Sequence, residues 1–362
     1  MKKQIVLVII IIDCLSSQSQ NAIKTDVPCT DSMAYNAKGR WIRSPNQKPT
    51  NSKEIDTRLE KIRQMLLNIY PQPTGIDAVW SFGAAISVFG SKRKYYKRDD
   101  DRLTFDHLNI PHFSQFSYGV NFFKYYCDYS DKKKLNTGYP GETGTMFGIV
   151  ANFKLGDPHV GDDWTINGLP VMDWLPAKEK RDGFEIAHRG YPEWQVANAL
   201  IHRKGILPYL PVTRRQYLER CTIYNTHLHD ESIKDLEKLL ATAKEADKKW
   251  INDKLSRAKK YREQEFKKFA DALQETTEKG LLDSPAIIRV RYLSSPVFEN
   301  DPYYSGMLIT ENPDYIRKEL PKHIPQFFLI SWRCQEALPQ KKVGEIISRY
   351  FPFEKLEAMI DK

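Results

Sequence analysis

The side chains of this chain that could hold a metal or activate a nucleophile are eight histidines and five cysteines, and their spacing decides what each can do. His227-Leu228-His229-Asp230 is the most suggestive group. In an extended segment alternate residues face one side, so two imidazoles there could share a zinc ion. The segment reads as a connector between a short helix and a long one, where such a pair caps helices or meets solvent. His107 and His112 lie near Asp106, and His188 lies near Glu185. Each would be an acid–base pair only if the fold also makes them spatial neighbours. The triple aspartate at 99–101 lacks the alternate spacing and the glycine of a calcium loop. The chain has no Gly-x-Ser-x-Gly, no His-Glu-x-x-His, no Gly-x-Gly-x-x-Gly and no phosphate-binding loop, and Ser305-Gly306 has no partner identifiable from sequence. No metal, cofactor or catalytic residue is therefore assigned. The best single polar candidate is Glu142, an ionisable residue within Gly141-Glu142-Thr143-Gly144, a turn of the kind where function often sits. Aromatic residues make up 12% of the chain, enough for an exported protein to stack on sugar rings or grip a peptide. Trp164, Trp174 and Trp194 are the rings placed for that, the competing reading being that they fill the space between sheet and helices.

Whether such chemistry operates inside or outside the cell is addressed by the amino terminus. Lys2 and Lys3 precede an apolar run from Ile5 to Ile12, followed by a polar stretch with small residues at Ser17 and Ser19. This pattern reads as a secretory signal peptide over residues 1–19, too short to span a bilayer as a helix. Anchoring through Cys14 as a lipoprotein is disfavoured by Asp13, which stands where that signal requires a small residue. The expected location is periplasmic or secreted. Removing Cys14 leaves Cys29, Cys127, Cys221 and Cys334, which permit two disulfides in three connectivities or persist as buried thiols. A net charge of +9 is modest for 362 residues and is interspersed with acidic groups, so nucleic acid is not an expected partner. Carbohydrate, peptide or an envelope protein remain as partner classes.

The elements that would position these groups are readable in part. Residues 20–50 are a polar, proline-bearing lead-in with one short strand at Trp41. Asn51 with Glu54 makes a capping pair for a helix whose apolar face is Ile55, Leu59, Ile62, Leu66 and Ile69, ending at Pro71 and Pro73. The aromatic and β-branched density from Ala78 to Tyr129 predicts strands, interrupted by a charged solvated loop at 92–102. Thr145 to Phe153 is a strand, and Asn167-Gly168 between two apolar runs predicts a hairpin. Val196–His202 and Ile206–Val212, joined by Arg203-Lys204-Gly205, predict a second hairpin whose outer strand, with Pro208 and Pro211, sits at a sheet edge. Thr213 with Gln216 then matches a capping box that starts a helix.

From Asp230 to Lys279 charged residues dominate, with Ile233, Leu236, Leu240, Ala243, Trp250, Leu255, Ala258, Phe266, Phe269 and Leu273 as the apolar stripe. This predicts either one rod of about 75 Å or an antiparallel pair of half that length. Strands follow at Ile287–Leu293, Met307–Thr310 and Gln326–Trp332, with a short helix at Pro313–Leu320 capped by Asn312 and two terminal helices at Lys342–Tyr350 and Phe353–Ile360.

At Leu207–Leu218, LPYLPVTRRQYL, the chain resembles a group of exported bacterial proteins without an assigned activity. The resemblance extends from Lys38-Gly39-Arg40-Trp41 to Asn312-Pro313-Asp314-Tyr315 and the terminal helix, and it implies export but no catalytic residue. The sequence thus predicts an α+β protein, an antiparallel sheet packed by helices. Its parts are a lead-in (20–50), an α+β domain (51–229), a charged helical or coiled-coil insertion (230–280) and carboxy-terminal strands and helices (281–362). The expected function is non-enzymatic binding or association with the cell envelope. A hydrolase whose site is built from distant residues is the alternative.

Overall fold

The structure, a computed structural model, describes residues 23–362 apart from 46, 48–49, 87–91, 100–101, 110–113, 129, 138–144, 153–164, 167–168, 175–176, 178, 192–193, 290–295, 299–304, 318, 322 and 336–337. Its first elements are β1 (Ile23–Lys24), α1 (Asp31–Asn36), β2 (Trp41–Arg43), α2 (Lys53–Ile69), β3 (Ile76–Ile86), β4 (Lys92–Asp99), β5 (Arg102–Asn109), β6 (Ser114–Cys127) and β7 (Lys134–Thr137). There follow β8 (Thr145–Ala151), β9 (Thr165–Ile166), β10 (Leu169–Trp174), β11 (Glu179–Arg181), β12 (Phe184–Tyr191), β13 (Trp194–Ile201) and β14 (Tyr209–Pro211). The remainder is α3 (Arg214–Thr242), α4 (Glu245–Glu278), β15 (Ile287–Arg289), β16 (Ser305–Glu311), β17 (Phe328–Gln335), α5 (Gln340–Tyr350) and α6 (Phe353–Glu357).

The expected α+β class holds. A ten-stranded sheet runs β1-β7-β6-β8-β17-β13-β12-β11, with β3 on the other side of β6 and β2 beside β3. Its pairings are antiparallel except β2 with β3. Alternation explains the packing: β8 and β17 bury every second residue, and the buried set forms one face of the sheet. Phe116, Tyr118, Phe147, Ile149, Phe328 and Ile330 on that face meet Ile55, Leu59, Ile62 and Leu66 of α2 and Val343 and Ile347 of α5. Each such side chain contributes about 1.5–3 kcal/mol of apolar burial before entropy is set against it. Helix α5 lies close to β17 because residue 344 is glycine; a Cβ there would stand 2.7 Å from Cys334 Sγ.

A second, five-stranded sheet runs β14-β16-β10-β9, with β15 also on β16. Strand β14 is at its edge, as its proline requires. Between the two sheets Met172, Trp174, Leu200, Tyr209, Ile309, Tyr315 and Phe327 form a smaller core.

Several expectations need correction. The segments around Arg203-Lys204-Gly205 are not a hairpin: β13 pairs with β12 and β17, whereas β14 pairs with β16 in the other sheet. Arg203 explains the divergence, because its guanidinium stacks on Tyr315 at 4.0 Å and pairs with Asp361 at 3.0 Å, fixing the loop to distant chain. Of the segment expected as a charged loop, Lys92–Asp99 is strand β4 and Arg102 begins β5, the two pairing antiparallel from Lys92 opposite Asn109 to Asp99 opposite Arg102. Helix α2 is capped by Ser52, whose side chain accepts from the Ile55 amide, while Asn51 has φ 58° and stays outside the helix. The lead-in carries α1, capped by Thr30 and held by buried Ala34 against Tyr125 and Leu135. The described residues of the expected helix at 313–320 are turn and irregular backbone; Asn312 Oδ1 accepts from the Asp314 amide, closing a turn over its own backbone. The long charged region is a pair of helices, and the first begins at Arg214, well before Asp230.

Of the four cysteines, Cys29 and Cys127 are bonded, tying the lead-in to the end of β6, while Cys221 and Cys334 are free and buried.

Candidate functional site

The residues singled out from sequence do not converge. Glu142 and Trp164 lie outside the described residues, and Trp194 is placed by its backbone in β13, opposite Gln335 of β17. Trp174 is buried in the core between the sheets, its ring 6.1 Å from that of Tyr209, so it offers no open face for stacking. His227 and His229 lie within α3 rather than in a connector. Two residues apart on a helix they point about 200° away from each other and cannot grip one ion. His227 stands 3.3 Å from Glu231 one turn on. His188 is 3.1 Å from Glu179, while Glu185 accepts from the Tyr209 hydroxyl at 3.1 Å, so the two are not a pair. No group of three His, Cys, Asp or Glu arranged for a metal occurs among the described residues. Burial pushes the thiols of Cys221 and Cys334 up to about 12, which leaves both protonated at neutral pH and poor nucleophiles.

One cleft, of about 410 Å³, lies where Lys38-Gly39-Arg40-Trp41 passes Pro71-Gln72-Pro73. Glycine is required at 39 because a Cβ would collide with the Ile76 carbonyl. Behind the cleft the carboxylate of Asp77 is 2% exposed and fully engaged. Its Oδ1 accepts from the Arg40 amide at 2.8 Å and from the Tyr125 hydroxyl at 2.8 Å, and its Oδ2 pairs with Arg40 Nη2 at 3.0 Å. Burial, reinforced by Asp77, raises the Tyr125 phenol far above its ordinary range. A buried carboxylate that accepts three hydrogen bonds and is ion-paired with Arg40 acts as a structural lock that fastens β2 to β3.

The other feature is the α3–α4 hairpin. Its start follows the sequence closely: Thr213 Oγ1 accepts from the Gln216 amide and Gln216 Oε1 from the Thr213 amide, the reciprocal cap expected from that pair. The root is anchored on the second sheet, where Tyr217, Leu218, Cys221 and Phe269 pack with Val171, Ile288 and Leu308. Beyond the root the character changes. Between residues 222 and 268 the only fully buried side chain is Ile251. The helices are held there by Ile251, by partly buried aliphatics and by two cross-helix ion pairs, Asp230–Arg262 at 2.6 Å and Glu237–Lys259 at 3.1 Å. This stretch extends about 30 Å at 1.5 Å per residue.

Trp250 and Phe266, which the sequence places in the apolar stripe, are both exposed, and so are Leu228, Leu239 and Tyr261. Eleven residues make three helical turns, so Leu228 and Leu239 share one face of α3, and Trp250 and Tyr261 share one face of α4. On α4 that face lies about 100° from the Ile251–Phe269 seam, on the flank away from Arg262 and Lys259. On α3 the face lies about 160–180° around from Asp230 and Glu237. Both rows therefore occupy the same broad surface of the hairpin, opposite the ion pairs. Lys254 and Arg257 stand between Trp250 and Tyr261 on this surface, and Lys254 Nζ sits 4.0 Å over the Trp250 ring. The arrangement can engage a large apolar or amphiphilic partner and has no group placed for bond-breaking chemistry. Its signal in the sequence is the eleven-residue spacing, which periodicity alone assigns equally to a buried stripe.

Comparison of the chain with protein-family models, with curated proteins and with solved structures finds no match in any of the three.

Proposed function

We propose that this is an exported, non-enzymatic binding protein of the cell envelope whose contact surface is the exposed side of the α3–α4 arm. The observation that carries the reading is that two leucines and two aromatic rings stand in solvent on one surface of an arm that buries almost nothing else beyond its root. Trp250 and Tyr261 are 53% and 60% exposed, and Leu228 and Leu239 on the same surface are 45% and 46% exposed. Export is supported by the basic, then apolar amino terminus and by the Cys29–Cys127 bond, since disulfides persist in oxidising compartments. No helix among the described residues is long and apolar enough to cross a membrane.

The test is fractionation of the producing cells with the native protein and with L228A/L239A/W250A/Y261A. The native chain is expected outside the cytoplasm, with residues 1–19 absent by mass spectrometry, and bound to envelope material. The quadruple variant is expected in the unbound exported fraction. A chain that keeps Met1, or a variant retained as fully as the native protein, contradicts the reading.

A further inference from the structure

We propose that the outer edge of β2, with the cleft beside it, takes up an extended peptide segment of alternating acidic and large apolar residues as an added strand. This is a second contact surface, on the sheet body and independent of the arm. Three observations at one place lead there.

The first is an open backbone edge. Strand β2 pairs only with β3 and so lies at an edge of the ten-stranded sheet. In extended chain successive peptide groups point to alternate sides. On the inner side the Arg40 carbonyl accepts from the Ala78 amide at 2.8 Å, and the Ser44 amide donates to the Trp80 carbonyl at 2.7 Å. On the outer side the chain before β2 is covered: the Ala37 carbonyl accepts from the Gly75 amide at 2.7 Å, and the Gly39 amide donates to the Pro73 carbonyl at 3.0 Å. The next outward groups, those of Trp41 and Arg43, have no backbone partner among the described residues. A row of unpaired N–H and C=O groups is a template for another strand.

The second is the cleft, which lies against this open edge between Lys38-Gly39-Arg40-Trp41 and Pro71-Gln72-Pro73. The Trp41 ring is held there by donation from Nε1 to the Tyr70 carbonyl at 3.1 Å and by edge contact with Phe122 at 6.2 Å. A strand laid beside Trp41 would set one side chain between the indole and the prolines, and about 410 Å³ has room for a large apolar one.

The third is charge. Trp41 packs on the α2 face of the sheet, so alternation puts Arg40, and Lys38 two residues before it, on the other face, where Arg40 meets Asp77. The cleft is lined by these two cations and no acid, and Asp77 is already spent on Arg40 and Tyr125. A strand that turns apolar side chains toward Trp41 turns its alternate side chains toward Lys38 and Arg40, where carboxylates fit.

The probe is acetyl-Thr-Glu-Phe-Glu-Val-Glu-Thr-amide, titrated by calorimetry into the protein purified from the cells that export it. Binding is expected, with amide exchange of Trp41 and Arg43 slowed about tenfold or more. A version with lysine for each glutamate should not bind. Of two versions N-methylated at alternate residues, one on the glutamates and one on phenylalanine and valine, the one blocked on the bonded edge should fail and the other should bind as the parent does. R43P removes the outward N–H while leaving the bonds to β3, and should weaken binding about tenfold. R43A keeps that N–H and should bind within about twofold of native, because the Arg43 guanidinium is engaged by Gln47 and Trp80. K38Q should weaken binding on the order of 3-fold, as for an exposed ion pair.

No binding, equal binding of the lysine peptide, equal behaviour of the two N-methylated peptides, or a loss in R43A as large as in R43P overturns the proposal. A dimer that R43P abolishes, without peptide binding, overturns it in favour of edge-to-edge pairing of two copies. Should R43P fail to fold, the N-methylated pair, measured on the native chain, decides alone.

Discussion

The sheet body and the helical arm are stabilised in different ways. In the body, alternating strand residues bring whole aromatic side chains out of water: Phe328, Tyr118 and Phe116 are each no more than 1% exposed. Charged groups there are fixed by several partners at once. Arg181 lies over the Phe353 ring at 3.6 Å and donates to the carbonyls of Ser348 and Phe351, satisfying the end of α5. In the arm, helix propensity, surface ion pairs and Ile251 serve instead, and large apolar side chains are left outside. The body is thus held mainly by burial and the arm by local helix contacts and ion pairs, and exposed apolar side chains occur in both, Tyr350 at 57% and Trp250 at 53%.

This contrast can be broken or sharpened by mutation. The largest effect is expected for Phe328→Ala, which should cost about 3–5 kcal/mol in chemical denaturation, against less than about 0.5 kcal/mol for Phe266→Ala at the exposed edge of the arm. Comparable losses at both sites would remove the distinction. Next in size is C29A/C127A. The bond closes a loop 98 residues apart in sequence, so its removal should destabilise the body by about 2–5 kcal/mol. Hydrogen exchange should then quicken in β6, β7 and α1 but not in the arm. A smaller effect is expected at the junction between the regions, where Thr213→Ala removes half of the reciprocal cap. About 1 kcal/mol of stability and faster exchange of the first turn of α3 should follow. The smallest belongs to the arm itself. A double-mutant cycle on Asp230 and Arg262 should return about 0.2–1 kcal/mol and approach zero at high salt, as expected for an exposed pair. A larger, salt-independent coupling would mean that the arm's ion pairs are buried by something the isolated chain lacks.

What was legible in the sequence follows the same division. Helix α2, the cap at Thr213 and Gln216, the β9–β10 hairpin and strands β8, β16 and β17 could be read because their signals are local: a period, a cap, a turn pair. The supposed turn at Arg203-Lys204-Gly205 also had a local signal, but contacts with Tyr315 and Asp361, 112 and 158 residues away, decide its path. Cysteine pairing was open for the same reason, since only the fold sets Cys29 against Cys127 and buries Cys221 and Cys334 in separate cores. The candidate surface was hidden differently. Trp250 and Phe266 fit a buried helical stripe as well as an exposed one, and periodicity cannot tell whether a partner element exists to cover them. His227 and His229 looked like a possible metal pair only while their segment was taken as extended.

One paired measurement tests most directly whether stability resides in the body and contact in the arm. The L228A/L239A/W250A/Y261A protein is compared with the native chain for Tm and for retention at the envelope. The account predicts a Tm within a few degrees of native and loss of retention. A large fall in Tm, or a variant as firmly retained as the native protein, would contradict it.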